Sequence, residues 1–564
     1  MLERDYLSNL KALQQQAWPA GKPVEPQYPL GEQPLTEYLR HWARHTPERP
    51  AIEYYGHRTT YAELDDLSDR CAALLYSLGV APGDRVAVFM PNCPQLHVAF
   101  YGILKAGAVH APVSPMAKGM ELAYQLKDSG ATAIVCFDQL LPVVREIRDQ
   151  TELNVVISTS LSELCPAEPP IPVPDLLRAP KLEVTDSVDL LPALARTQPA
   201  ERLPQLALDD IAALNYTGGT TGLPKGCIHT HGDMLYTCAS FLPVALGLDP
   251  DRISLNFMPE FWIAGENAGL LYPVFSGTTL VLLARWDAEA FMAAVQHYKV
   301  SHTGLLVDSA SEVLDHPRVA DFDLSSLQIT SCVSFIKKLT PEYRSRWREL
   351  TGCTFFETSF GMTETHTCDT FTAGMQDDNF DLKSAPTFVG LPVPGTEFKV
   401  CAFETGELLP LGEEGELCVR SPSLLKGYWN KPEASADALR DGWLHTGDSG
   451  VITETGHIRY LGRRKEMLKV NGMSVFPSEL EAMLGQHPDL LASAVIGRAD
   501  EKRGQCPVAF VVAKPGSGLT AEALMDWCRQ SMAIYKVPEV RLVDSLPMTA
   551  TGKVKKQDLQ EWIN

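Results

Sequence analysis

The 564-residue sequence has no apolar run long enough for a transmembrane helix. Its first residues, Met1-Leu-Glu-Arg-Asp-Tyr, are charged and lack the apolar centre of a secretory leader. No two of its 13 cysteines stand in C-x-x-C spacing, so a zinc site is not expected. That odd, scattered set, without a leader, points to a reducing cytoplasm. Basic residues are outnumbered: 49 Lys and Arg stand against 70 Asp and Glu, for a net charge of −21. This argues against nucleic acid or an anionic membrane as a general partner, but leaves a local anion site open. Internal repeats and low-complexity tracts are also missing. What is left is the composition of an ordinary globular protein, 45% hydrophobic and 21% charged, with length for more than one domain.

Tyr6, Leu7, Leu10 and Leu13 have helical spacing, and this short helix is expected to pack on its own domain. A proline-rich connector follows. From Leu35 helices and strands alternate. Thr60-Tyr-Ala-Glu63 reads as a capping box, followed by an apolar face through Leu78. Strands are expected around Val86, Val109 and Ile134, with a helix over 96–104. This rhythm implies an α/β architecture with largely parallel strands. The proline-rich stretch 165–204 reads as a surface excursion.

The densest signal is Asn215-Tyr-Thr217-Gly218-Gly219-Thr220-Thr221-Gly222-Leu-Pro-Lys225-Gly226. The apolar run before it reads as a buried strand, and 234–242 after it as a helix. Glycines admit close approach of a ligand, threonines add hydroxyls, and Lys225 adds a point charge. A glycine-rich loop leaving a strand suits a phosphate. The P-loop pattern fails, because Pro224 and Gly226 stand where glycine and Ser/Thr are required. The stretch closely resembles the phosphate loop of the adenylate-forming superfamily, which includes acyl-CoA synthetases, peptide-synthetase adenylation domains and luciferases.

Further segments carry the resemblance in order. Thr230-His231 matches a Thr-His pair and Pro259-Glu-Phe-Trp262-Ile-Ala-Gly265 an acyl-pocket segment. Peptide-synthetase domains for α-amino acids place aspartate where Trp262 stands, so its absence weighs against such substrates. Glu260 and Glu266 are nearby acids able to meet a cationic substrate, although most such acids are solvated or structural. Ser331-Cys-Val333-Ser334-Phe occupies the place of a glycine-rich loop and lacks its glycines. Phe360-Gly361-Met362-Thr363-Glu364 resembles Y-G-x-T-E, Trp443-Leu-His-Thr-Gly-Asp448 a ribose-binding segment, and Gly462-Arg463-Arg-Lys465 the interdomain hinge. Thr549-Ala-Thr-Gly-Lys553 resembles the closing lysine motif, with Lys555 and Lys556 as neighbours that could be confused with Lys553.

The resemblance implies a large multi-sheet N-terminal domain, residues 1–464, hinged at Lys465 to a small α+β domain, 465–564. It implies ATP, Mg²⁺ and coenzyme A. Thr217–Gly222 and Lys225 would hold phosphates, with Glu364 and Thr220 catalytic and on the metal. Phe360, Gly361, Met362 and Thr363 would meet the nucleotide. Asp448 would take the ribose hydroxyls and Arg463 the ribose or phosphate, while Lys469 and Gly472 would lie at the thioester-forming face. His231, Trp262, Gly265, Val333 and Ser334 would line the acid pocket. Lys553 would be the catalytic lysine. The expected activity is ATP-dependent activation of a carboxylic acid, a medium- or long-chain fatty acid foremost, to its CoA thioester. An aryl, short branched or cationic acid, or a separate carrier-protein thiol, are the alternatives; a silent ligand-binding relative is the reading from another class. A homodimer stays open.

Overall fold

In the computed structural model, residues 2–563 are described, apart from 218–222, 335–336, 359, 367, 385–386, 472, 501 and 550–551. Two sheets of similar plan form the centre. One orders its strands 188–189, 155–159, 133–137, 85–89, 109–112, 211–216 and 226–230; all pairs are parallel except the last, a hairpin. The other runs 355–357, 329–333, 302–306, 253–256, 279–282, 50–54 and 57–60, again parallel until a final hairpin. Their apolar strands share one core. Both faces of a parallel sheet need cover, and helices supply it. Pro94–Lys105 is buried at every position and His231–Ala245 at nearly every one, as helices apolar all round should be.

Local signals place several elements. Thr60 Oγ1 accepts from Glu63 N at 3.2 Å and Glu63 Oε2 from Thr60 N at 2.8 Å, which closes the expected capping box. The N-terminal helix, Glu3–Gln16, buries Tyr6 and Leu10 against a third, antiparallel sheet. Glu3 accepts from Trp443 Nε1 at 3.0 Å and pairs with Lys399 at 2.8 Å. Stretch 165–204 is more than a surface excursion. It adds the edge strand Val188–Asp189 and a short helix that buries Leu190 and Leu194.

A smaller C-terminal domain has its own five-stranded sheet and two apolar clusters. Leu490–Asp500 and Gly504–Ala513 form an antiparallel hairpin. A βαβ crossover follows, through Ala521–Ser531 to the parallel strand Glu539–Leu542. Thr520 Oγ1 caps that helix, accepting from Ala523 N at 3.2 Å. Among the described residues no helix is long and apolar enough to cross a membrane, and all 13 cysteines are free.

Candidate active site

The phosphate-loop segment is closed at its neck by the hairpin of Ile211–Tyr216 and Gly226–Thr230. Thr217 N donates to Lys225 O at 2.9 Å, and Lys225 N to Thr217 Oγ1 at 3.2 Å. Gly226 sits tightly, since a Cβ there would lie 3.1 Å from the Tyr216 ring. Gly218, Gly219, Thr220, Thr221 and Gly222 lie outside the described residues. The ammonium of Lys225 sits 3.9 Å from the ring centre of Tyr428. The Tyr428 hydroxyl donates to Glu364 Oε1 at 2.8 Å. One aromatic side chain therefore spans the loop lysine and the acid. Tyr428 is held there by the backbone: Ile228 N donates to Gly427 O at 3.0 Å and Trp429 N to Gly226 O at 2.8 Å. Burial pushes its phenol pKa well up, so it stays a neutral donor.

Thr363–Thr365 forms one tight turn. His229 Nε2 bonds to Thr363 O at 2.7 Å, and Leu425 N donates to Glu364 O at 2.8 Å. Phe360 is buried, its ring 5.6 Å from that of Tyr460 and 6.1 Å from that of Phe398, so packing claims much of the π surface. Gly361 is exposed and Met362 buried.

Asp448 and Arg463 face each other across neighbouring strands. Arg463 Nε lies 2.8 Å from Asp448 Oδ1, and Arg463 Nη1 donates to Thr446 O at 3.2 Å. Burial pushes the Asp448 carboxyl up to about 7, against the pull of Arg463. Lys553 comes from the other domain. Its loop is tied by Thr549, whose N donates to Lys553 O at 2.7 Å and whose hydroxyl accepts from Lys553 N at 3.0 Å. The Lys553 ammonium stands 5.9 Å from the ring centre of Trp262. The residue keeps solvent access, yet crowding around the ammonium, then the Arg463 guanidinium, lowers its pKa. Lys556 is a clamp instead, 3.1 Å from Glu466 and 2.9 Å from Glu481. Geometry thus separates two lysines that sequence leaves adjacent.

Trp262 is half-buried and caps the short helix Ile263–Glu266. Gly265 is sterically required, since a Cβ would meet Pro259 O at 2.0 Å. Val333 ends its strand opposite Leu306. Ser334 is committed to Glu357, donating from N at 2.9 Å and from Oγ at 2.6 Å. His231 sits at the far end of the loop hairpin from Lys225, beside Asp210, and burial lowers its pKa to about 4. It is His229, two residues earlier, that turns toward Thr363. Lys465 lies in the turn Arg464–Glu466 and is exposed. Lys469 is exposed on Leu468–Val470, and its charge is felt by Glu414 of the third sheet. Gly472 lies outside the described residues. Glu260 and Glu266 are both buried rather than solvated; Glu260 Oε1 lies 3.1 Å from His97 Nε2.

The sequence profile of the AMP-binding enzyme family matches residues 39–429. The chain belongs to this family. The profile of the AMP-binding enzyme C-terminal domain matches residues 479–553, a span that ends on Lys553. This AMP-binding enzyme is 32% identical to the long-chain-fatty-acid–CoA ligase of Bacillus subtilis, over 97% of this chain and 98% of that one. It is also 32% identical to the ligase of the same name from Escherichia coli, over 96% and 97%. Among solved structures, an anthranilate CoA ligase in complex with anthranoyl-AMP superposes with a TM-score of 0.82 at 26% identity, over 94% of this chain and 98% of that chain.

Tyr428 escaped the sequence reading. Its signal is Lys426-Gly427-Tyr428-Trp429, where a glycine precedes two aromatics. Nothing local ties that segment to a loop some 200 residues earlier; only the strand pairing does.

Proposed function

We propose that this AMP-binding enzyme is an ATP-dependent acid–CoA ligase working through an acyl-adenylate. The observation that carries the reading is the juxtaposition of Lys225, Tyr428 and Glu364 on one side with Asp448, Arg463 and Lys553 on the other. A carboxylate is a poor electrophile, and its approach to the α-phosphate of ATP brings two anions together. Lys553 would pair with both. Lys225 and the loop Thr217–Gly222 would hold the departing pyrophosphate, Thr363 the α-phosphate, and Phe360–Met362 the base. Asp448 would accept the ribose hydroxyls while Arg463 reaches ribose or phosphate. Such preorganised charge is usually the largest catalytic contribution.

Mg²⁺ fits beside Glu364: a hard carboxylate with one oxygen already fixed by Tyr428. Glu364 and Thr220 would hold it, and it would neutralise charge on the phosphates. Residues 1–464 and 465–564 would form the two domains, hinged at Lys465. Rotation about that residue would withdraw Lys553 and present Lys469 and Gly472 to CoA. For the acid we infer a medium- or long-chain fatty acid, supported by the relatives named for long-chain fatty acids. The superposed anthranilate ligase supports an aryl acid as the second reading. Trp262, Gly265, Val333 and Ser334 would line the acid's side of the site. His231 is placed on that pocket by resemblance alone. A cytoplasmic setting is proposed, and sedimentation would decide whether the enzyme is a homodimer.

The test is ATP-dependent pyrophosphate release over a panel of carboxylic acids, with and without CoA. Release with CoA thioester as product is expected. No release with any acid refutes the ligase reading, and adenylate accumulating without thioester refutes CoA as acceptor.

A further inference from the structure

Behind Trp262 and the neck of the phosphate loop lies a patch of buried polar side chains that the chemistry above does not use. Glu266, 0% exposed, ends the helix that Trp262 caps. Asn215, two residues before Thr217, donates Nδ2 to Glu266 Oε2 at 2.7 Å. His110 Nε2 stands 3.9 Å from Glu266 Oε2 and His366 Nε2 3.7 Å from Oε1, both too long for hydrogen bonds. His366 follows Glu364 by two residues, and its backbone carbonyl accepts from Asn267 Nδ2 at 3.0 Å. These bonds fix both amide orientations.

What they leave over is informative. Glu266 Oε1, Asn215 Oδ1, Asn267 Oδ1 and both ring nitrogens of His110 and of His366 have no hydrogen-bond partner among the described residues. Each such buried group costs about 1–3 kcal/mol, and so many in one place is unusual for a folded interior. The segment is unusual in its backbone too: Asn267–Leu271 is a π-helical turn, a form that recurs at functional sites. Gly269 within it has no room for a side chain, because a Cβ would lie 1.9 Å from Glu260 Oε1.

The inventory has a sign. Once Glu266 is ionised the three oxygens accept only, and each neutral imidazole accepts at one nitrogen and donates at the other. Acceptors therefore outnumber donors. Glu260, whose Oε2 is also unpartnered, adds a second acid close enough to influence Glu266. A methyl-ended chain would leave all of these groups unpaired, whereas a group with three N–H donors would satisfy three of the acceptors.

We propose that this patch receives an ammonium group, so that the preferred acid is an aliphatic chain bearing a protonated amine, with Glu266 as its counter-ion. The proposal rests on the acid–CoA ligase reading and replaces the methyl end of the fatty acid inferred above with an ammonium. Burial pushes Glu266 up to about 8 and His110 down to about 3, so both are largely neutral near pH 7. A bound ammonium would restore the carboxylate.

The test measures pyrophosphate release and thioester formation by the full-length enzyme over matched straight-chain acids ending in methyl, hydroxyl or ammonium. The ammonium series is expected to lead in kcat/KM. Glu266→Gln should shrink its advantage over the methyl series by roughly 10- to 100-fold, the loss of a charged hydrogen-bonded pair. A lead for the methyl series, or equal rates for all three ends because internal water fills the patch, overturns the proposal and leaves the ligase reading standing. An ammonium lead that Glu266→Gln does not shrink also overturns it. If no acid of any series releases pyrophosphate, the ligase reading falls and the proposal with it. Should Glu266→Gln fail to fold, the wild-type panel still decides.

Discussion

Replacing Lys553 by alanine should separate the two half-reactions. In this structure its ammonium lies over Trp262 and within the charge field of Asp448, Glu466 and Arg463. Two effects would be lost. The cation–π contact at 5.9 Å, on a residue that keeps solvent access, is worth only about 0.5–1 kcal/mol, or less than tenfold. Loss of a preorganised donor to the oxygens that develop charge costs about 3–4 kcal/mol, on the order of 10²- to 10³-fold. The second effect governs if Lys553 acts on the reacting atoms. Adenylation by Lys553→Ala, read as pyrophosphate release at saturating acid and ATP, should therefore fall by roughly that factor. Trp262→Leu should cost less than tenfold in the same assay if the ring only steadies the ammonium. Thioester formation from supplied acyl-adenylate and CoA should stay within about threefold of wild type, since the hinge would have carried Lys553 away. A parallel loss in both halves refutes the hinge argument. A loss under tenfold in adenylation refutes the role given to Lys553.

Three further outcomes follow from particular contacts. Tyr428→Phe removes the 2.8 Å bond to Glu364 but keeps the ring over Lys225, so KM for Mg·ATP should rise about five- to tenfold, near 1–1.5 kcal/mol, and Tyr428→Ala should cost more. Asp448, raised to about 7 by burial, must be ionised to accept ribose hydroxyls. The kcat/KM for ATP should therefore rise with pH through about 7 and fall as pH drops below it. A profile flat from about pH 6 to 8 contradicts that role. Arg344 and Asp381 are both buried and joined by two bonds, of 2.9 and 2.6 Å. Asp381→Ala strands the guanidinium and should destabilise the fold by about 3–5 kcal/mol, read from urea denaturation.

Much of the fold was legible locally. Thr60 and Thr520 announce their helices because a cap is a contact over three residues. The apolar strands of the parallel sheets read as continuous runs because both faces are covered. Stretch 165–204 misled because prolines mark turns but say nothing about Leu190 and Leu194, which are buried by distant partners.

At the site, the sequence by itself determined the kinds of group available: a loop with small residues and Lys225, an acid at Glu364, an aspartate at Asp448 and a lysine at Lys553. It did so because backbone freedom, charge and hydrogen-bonding capacity belong to residue type and near neighbours. Tertiary structure decided which groups meet. It turned His229 onto Thr363 and set His231 at the start of the following helix, at the far end of the hairpin from Lys225. It set Tyr428 between Lys225 and Glu364 and made Lys556 a clamp while leaving Lys553 at the site. It also gathered Glu266, His110 and His366, drawn from three separate parts of the chain, into one buried patch. Burial and unmet hydrogen bonds depend on what lies opposite, and only the folded chain supplies that.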